Sequence, residues 1–204
     1  MADISIALDN LRPNDVIPSE AEHQGSPATR LVLTPDAETP DNPTFARIKD
    51  LEFHNGTIEI EVAGRPLPDA FPEARGFIGV AFRIAEDLSA FECMYLRPTN
   101  GRAEVQLRRN RATQYFSYPD WKFDRLRIEV PGHYEAYVDL ITGAWTKMRI
   151  EVEGEKAKLF VHDLEQPTII VNDLKHGTDH RGGIGLYIDN GTEGFFRNLR
   201  VTPA

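Results

Sequence analysis

Residues 76–84, GFIGVAFRI, and residues 91–98, FECMYLRP, decide the fold of this 204-residue chain. Successive side chains of a strand point to opposite faces. In the first run Ile78, Val80, Phe82 and Ile84 therefore share one face, with Phe77, Gly79, Ala81 and Arg83 on the other. Two small residues beside an arginine leave room for something to approach the sheet. The second run sets Phe91, Cys93, Tyr95 and Arg97 against Glu92, Met94 and Leu96, and either set can face inward.

Outward from this centre the same period recurs. In FHNGTIEIEV (53–62), Ile58, Ile60 and Val62 alternate with Thr57, Glu59 and Glu61, as in a half-buried strand. Leu126, Ile128 and Val130, then Ala136, Val138 and Leu140, read as two further strands. WTKMRIEVEGEKAKLFVHD (145–163) reads as a hairpin turning at Glu153-Gly154, and GGIGLYIDNGTEGFFRNLRV (182–201) as two closing strands about an Asn-Gly turn. Asn55-Gly56-Thr57 and Asn190-Gly191-Thr192 match the glycosylation sequon but are read as hairpin turns. Short strands between turn signals predict an antiparallel β-sandwich, with no long helix and no solenoid repeat.

Residues 1–44 are less regular. Ile4, Ile6 and Leu8 suggest one short strand and Leu31 to Leu33 another, but prolines 13, 18, 27, 35, 40 and 43 interrupt any long element. Proline cannot donate to a ladder, so this segment is expected to wrap over the sandwich or form edge strands of one domain whose sandwich proper is 45–204.

A formal net charge of -9 argues against general nucleic-acid or anionic-membrane binding. Cys93, the single cysteine, excludes an internal disulfide and a thiolate cluster within the chain. It sits among apolar residues, where a neutral thiol is expected. The start, MADISIALDNLRPND, does not read as a signal peptide. No run reaches the roughly 18 uninterrupted apolar residues of a spanning helix. A cytoplasmic protein is the expectation.

Against this acidic background, residues 97–127 stand out. Arg97, Arg102, Arg108, Arg109, Arg111, Lys122, Arg125 and Arg127 against Glu104, Asp120 and Asp124 give the stretch a net charge of +5. Such asymmetry points to a local anionic target, and arginine forks suit carboxylate or sulfate. Tyr115, Phe116, Tyr118 and Trp121 supply rings that could stack on sugar faces. Set against this is the alternative that the arginines pair with acids elsewhere in the chain while the rings cover a loop. Arg108-Arg109-Asn110-Arg111 beside aromatics imitates a single-strand nucleic-acid platform, which the net charge opposes.

The quoted stretches together resemble the concanavalin A-like lectin and glucanase superfamily. Within it the chain is similar to bacterial domains of largely unknown function, related to the laminin-G-like and 3-keto-disaccharide hydrolase domains. The resemblance spans about residues 45–201. It implies an antiparallel jelly-roll of two curved sheets whose concave face often holds a saccharide. Calcium also occurs in the superfamily. Asp189-Asn190-Gly191-Thr192 offers suitable oxygens, but a turn explains the same letters, and no cofactor is expected.

Glycosidases need two carboxyls about 5 to 9.5 Å apart across the bond. The Glu-x-Asp-x-x-Glu strand pattern of the glucanase branch is absent. Glu151, Glu153 and Glu155 read as a solvated hairpin edge, and Glu59 and Glu61 as the outer face of a strand. Glu92 is the one acid of the central strands, with a pairing to Arg83 or Arg97 as the plainer explanation. His162, His176 and His180 match no zinc spacing, and Ser89 and Ser117 lack an elbow or adjacent base.

The expected function is carbohydrate binding, for an acidic saccharide, through Arg83, Glu92, Tyr95, Arg97, Gln106, Arg108, Tyr115, Tyr118 and Trp121. Two alternatives remain: a glycoside hydrolase or lyase using Glu92 with a distant acid, or Tyr95 or Tyr118 as proton donor, and a self-association scaffold without a small ligand.

Overall fold

The protein is described here by a computed structural model over residues 2–204. In chain order the strands are β1 (Ala2–Asp3), β2 (Leu11–Asn14), β3 (Val16–His23), β4 (Ser26–Leu33), β5 (Phe45–Ile48), β6 (Gly56–Pro66), β7 (Ile78–Ile84) and β8 (Phe91–Leu96). There follow β9 (Thr113–Tyr118), β10 (Glu135–Ala136), β11 (Thr146–Glu153), β12 (Lys156–Val161), β13 (Ile169–Val171), β14 (Gly183–Ile188) and β15 (Thr192–Pro203). Two short helices, α1 (Gln106–Arg109) and α2 (Phe123–Glu129), flank β9 in sequence.

The first sheet runs β13-β12-β11-β6-β15-β4-β3, with β1 against β15, and the second runs β10-β9-β8-β7-β14-β5-β2. All pairings are antiparallel. Ile58 and Ile60 of β6 lie opposite Ile150 and Met148 of β11, all buried, while Glu59 and Glu61 face outward beside Arg149 and Lys147. Each buried Ile or Leu of this kind contributes about 1.5–3 kcal/mol. The facing layer is Ile78, Val80 and Phe82 with their cross-strand partners Leu96, Met94, Ile188, Leu186 and Ile184. The sheets meet closely at Gly194, where a Cβ would lie 2.6 Å from Ile188 Cγ2 and 3.1 Å from Ile78 Cδ1.

Strands β7, β8 and β14 are buried along their whole length, so both faces of the second sheet are covered. This explains their nearly continuous apolar runs, since a strand with no solvent side has no call for polar alternation.

Several expectations are corrected. Residues 123–129 form α2, not a strand: Phe123, Leu126 and Val130 recur at helical spacing, and Ile128, which completed the apparent alternation, is 82% exposed. Residues 136–140 leave the ladder after Ala136, although Val138 and Leu140 are buried. Ile4 to Leu8 are not a strand, and Leu8–Asn10 are a 3-10 turn. Neither Asn-Gly turn closes a hairpin. Asn190-Gly191 passes the chain from β14 in the second sheet to β15 in the first, and Asn55-Gly56 enters β6 from a segment following β5 of the other sheet. The letters encode a sharp corner, whereas the pairing of the next strand depends on the whole sandwich. Glu153-Gly154 does close a hairpin, with Glu153 opposite Lys156. Prolines 13 and 18 lie in β2 and β3, the edge strands of the two sheets.

Candidate functional site

On the second sheet, the face turned away from the first carries Cys93, Tyr95, Gln114, Phe116 and Tyr187, all buried. Tyr95, Phe116 and Tyr187 form a triangle of rings with centroids 5.6 to 5.8 Å apart, the spacing favoured by tilted and edge-on aromatic pairs. A third layer covers them. The segment before β5 is pinned to the start of α2, where Phe123 N donates to Asp41 Oδ2 at 2.7 Å and Lys122 Nζ to Asn42 Oδ1 at 2.5 Å. It is also pinned to the end of β14, where Asp41 N donates to Asp189 Oδ2 at 2.9 Å. Burial pushes the Cys93 thiol well above its ordinary pKa, so it stays neutral.

Beside this layer opens a cavity of about 360 Å³. Phe71, Phe77, Tyr95 and Phe123 supply rings to its wall, and Arg75, Arg97, Arg108, Arg111 and Arg127 supply guanidinium groups. Glu135, its side chain only 4% exposed, gathers three of these, bonding Arg127 at 2.6 Å, Arg97 at 3.1 Å and Arg111 at 3.3 Å. Arg97 also donates to Tyr95 Oη (2.7 Å) and Gln114 Oε1 (3.0 Å). Burial works against its charge, but Tyr95 and Glu135 outweigh that and leave its pKa raised.

Arg75 and Arg108 differ. Among the described residues neither has a carboxylate partner: Arg75 donates to the carbonyls of Pro72 and Ala74, and Arg108 to Asn100 Oδ1 and to Thr99. Partial burial, then the neighbouring charge of Arg108, pull the Arg75 pKa down. Two like charges held at one cavity wall favour an anion between or beside them.

The same cavity is lined by two buried acids, Asp41 and Asp189. Asp189 is fully engaged, accepting from Asp41 N, Tyr187 Oη (2.8 Å) and Asn190 N (2.7 Å). Among the described residues Asp41 Oδ1 has no hydrogen-bond partner. Burial, then the Asp189 charge, push the Asp41 pKa up to about 7, and burial raises Asp189 as well.

Of the residues expected at one face, Tyr95, Arg97 and Arg108 meet at this cavity. Arg83 does not. The ladder to β14 shifts beside it and its φ is +52°, a bulge that turns the side chain from the outward face to the end of the sandwich. There it donates to the carbonyls of His54 (2.9 Å), Gly154 (2.8 Å) and Gly177 (3.1 Å) and to Asn55 Oδ1 (3.1 Å). Glu92 and Tyr115 face the sandwich interior and bond each other at 2.8 Å, with His176 N completing the Glu92 shell at 3.1 Å. Glu92 makes no ion pair among the described residues, so the expected pairing with Arg83 or Arg97 is not formed. Gln106 is exposed and bonds Asn110. Tyr118 stacks on Phe91 (5.1 Å), and Trp121 lies under Arg125 (3.8 Å) and Lys175 (4.6 Å). The space over Gly79 is taken by the chain of β8: a Cβ there would lie 2.2 Å from the Met94 carbonyl oxygen and 2.7 Å from Tyr95 Cβ.

Sequence reading missed Arg75, Asp41, Asp189 as a cavity acid, and Glu135. Arg75 lies just before the central stretch and Asp41 in the proline-rich wrap, and nothing local marks either. Two roomier depressions hold ion pairs at their walls. One, on the outer face of the first sheet, pairs Lys147 with Asp163 and Arg197 with Glu61. The other, at the β2–β5 edge, joins Arg12 and Arg47 through Glu86. No group of three His, Cys, Asp or Glu side chains forms a metal-binding cluster among the described residues, and none of their helices is long and apolar enough to cross a membrane.

No protein-family model matches the chain, and no curated protein sequence does. Solved structures do. The carbohydrate-binding module CBM66 of Bacillus subtilis is 12% identical, with 92% of this chain and 94% of that one aligned at a TM-score of 0.58. A candidate glycosyl hydrolase of Parabacteroides distasonis is 15% identical over 98% and 97% at 0.59. A Bacillus subtilis protein with a galectin-like fold is 12% identical over 95% and 89% at 0.57. At such identities the likeness is one of fold, and the fold is the concanavalin A-like jelly-roll sandwich.

Proposed function

We propose that the chain is a carbohydrate-recognition protein whose cavity beside Tyr95 takes an acidic saccharide on the concave side of the second sheet. The observation that carries the reading is the pair Arg75 and Arg108, without a carboxylate partner among the described residues, at the wall of an aromatic-lined cavity. Guanidinium forks suit carboxylate or sulfate, and ring faces suit the C–H face of a sugar. A volume of about 360 Å³ falls within the ordinary range of small-ligand sites. The likeness in fold to a carbohydrate-binding module and a candidate glycosyl hydrolase supports a sugar ligand by analogy.

The test is a panel of neutral, uronate and sulfated oligosaccharides at two salt concentrations. Acidic members should bind, more weakly at high salt, and Arg75→Ala and Arg108→Ala should each lose about tenfold in affinity, a charge-assisted bond being worth about 1.5–3 kcal/mol. Binding of neutral members alone, or of none, would overturn the reading. A glycoside hydrolase or lyase is the second reading, favoured by the adjoining acids Asp41 and Asp189. Product formed from a bound oligosaccharide, and lost in Asp41→Asn, would promote it.

A further inference from the structure

Five guanidinium groups line the cavity, and they fall into two sets. Arg75 and Arg108 rest on backbone carbonyls, Asn100 and Thr99, with no carboxylate partner among the described residues. Arg97, Arg111 and Arg127 share Glu135, and three guanidinium groups on one carboxylate leave two positive charges unmatched. The other acids of the wall form no ion pair with either set among the described residues. Glu73 is exposed, and Asp41 and Asp189 accept from backbone N–H groups and Tyr187.

Within the second set, Arg111 and Arg127 are the reachable members. The Arg97 side chain is 4% exposed and donates to Tyr95, Gln114, Glu135 and the Arg111 carbonyl. The side chains of Arg111 and Arg127 are 32% and 26% exposed. Arg127 turns Nε and Nη2 to Glu135 and has Nη1 left over, whereas Arg111 turns only Nε to Glu135 and has both Nη atoms left over. These three nitrogens have no partner among the described residues, and none of them is closed off from solvent.

We propose that Arg111 and Arg127 form a second anion-binding point in this cavity, so that its ligand is a saccharide carrying two anionic groups, one held by Arg75 and Arg108 and the other by Arg111 and Arg127. The inference rests on the reading above and deepens it. Asn100 ties the two points together, accepting from Arg108 Nε at 3.2 Å and donating to the Arg111 carbonyl at 3.0 Å. Glu135 holds both guanidinium groups of the second point, and Arg127 also lies over the Phe123 ring at 4.7 Å. Side chains fixed before the ligand arrives lower the ordering cost of binding. The volume of about 360 Å³ lies near the lower end of small-ligand sites, so one short ligand spans both points.

Isothermal titration of the full chain with two pairs of disaccharides tests this. Digalacturonate, with two carboxylates, is set against galacturonosyl-rhamnose, with one, and neocarrabiose disulfate against its monosulfate. In whichever pair binds more tightly, the two-anion member should bind wild type about tenfold tighter than its counterpart, the effect of one further charge-assisted contact. Arg111→Ala and Arg127→Ala should each narrow that ratio to about threefold, with circular dichroism reporting that each variant is folded. Arg102→Ala removes a guanidinium that pairs with Asp139 outside the cavity wall and should keep the ratio. Equal binding of the two members by wild type, a comparison that needs no variant, overturns the inference and leaves the acidic-saccharide reading standing. A ratio that survives in both cavity variants, or that falls as far in Arg102→Ala, does the same. Failure of all four disaccharides to bind overturns the reading and the inference together.

Discussion

Asp41 and Asp189, 148 positions apart in the chain, are joined by one bond of 2.9 Å from the backbone N–H of the first to Oδ2 of the second. The bond fixes the N-terminal wrap over the second sheet. It also brings two carboxyl groups together out of water, which is why burial raises both pKa values and the Asp189 charge adds to the rise at Asp41.

Stability should carry the mark of that arrangement. The folded-state pKa of Asp41 is raised from 3.8 to about 7, so its stabilisation is fully present below about 3.8 and is lost as pH rises through about 7. Asp41→Asn removes the titration. Its urea midpoint should exceed that of wild type above pH 7, and the advantage should shrink steadily toward pH 4. The full shift corresponds to an upper limit of about 4 kcal/mol.

Glu135 is the next test, because three arginines converge on a carboxylate that is almost wholly buried. Glu135→Gln keeps the shape and removes the charge. Breaking a buried pair costs about 3–5 kcal/mol, so the denaturant midpoint should drop. With the guanidinium groups uncompensated, sulfate should bind the folded variant more tightly. An unchanged midpoint would show that the cluster contributes little to the fold.

Arg83 separates the two halves of the sequence expectation. Its four bonds tie the turn at Gly154, the loop at Gly177 and the entry to β6 onto the end of β7. Arg83→Ala should cost on the order of 3 kcal/mol while leaving ligand affinity of the folded protein within about twofold, the resolution of a routine titration. A selective loss of binding at unchanged stability would return Arg83 to the ligand site.

Gly79→Ala should be unfavourable for a different reason. The new methyl would meet the Met94 carbonyl oxygen at 2.2 Å and Tyr95 Cα at 2.5 Å, both backbone atoms that cannot swing aside. Moving β8 should cost about 1–3 kcal/mol. Because Tyr95 Oη accepts from Arg97, the shift should also weaken acidic-saccharide binding. Thermal unfolding and titration on the same samples check both effects.

Much of the architecture is legible in the residues. The alternation of Ile58, Ile60 and Val62, and of Met148, Ile150 and Val152, announces strands with one wet face, and both are such strands of the first sheet. The run from Thr113 to Tyr118 lies between clusters of arginine that do reach the cavity from both sides, as Arg108, Arg111 and Arg127. Residues 125–130 misled because six residues fit a period of two and a period of 3.6 almost equally well, and only the burial of Leu126 against the exposure of Ile128 decides between them.

By itself the sequence determined an all-β sandwich, the dry side of its regular strands, and a concentration of positive charge in 97–127. Only the tertiary structure decided which charges share a cavity. A side-chain period specifies a face within an unbroken strand and says nothing of a bulge, a covering layer or a partner arriving from far along the chain. The bulge removes Arg83 from the outward face, the wrap supplies Asp41, and Glu135 binds three of the arginines while Arg75 and Arg108 are left without a carboxylate partner among the described residues.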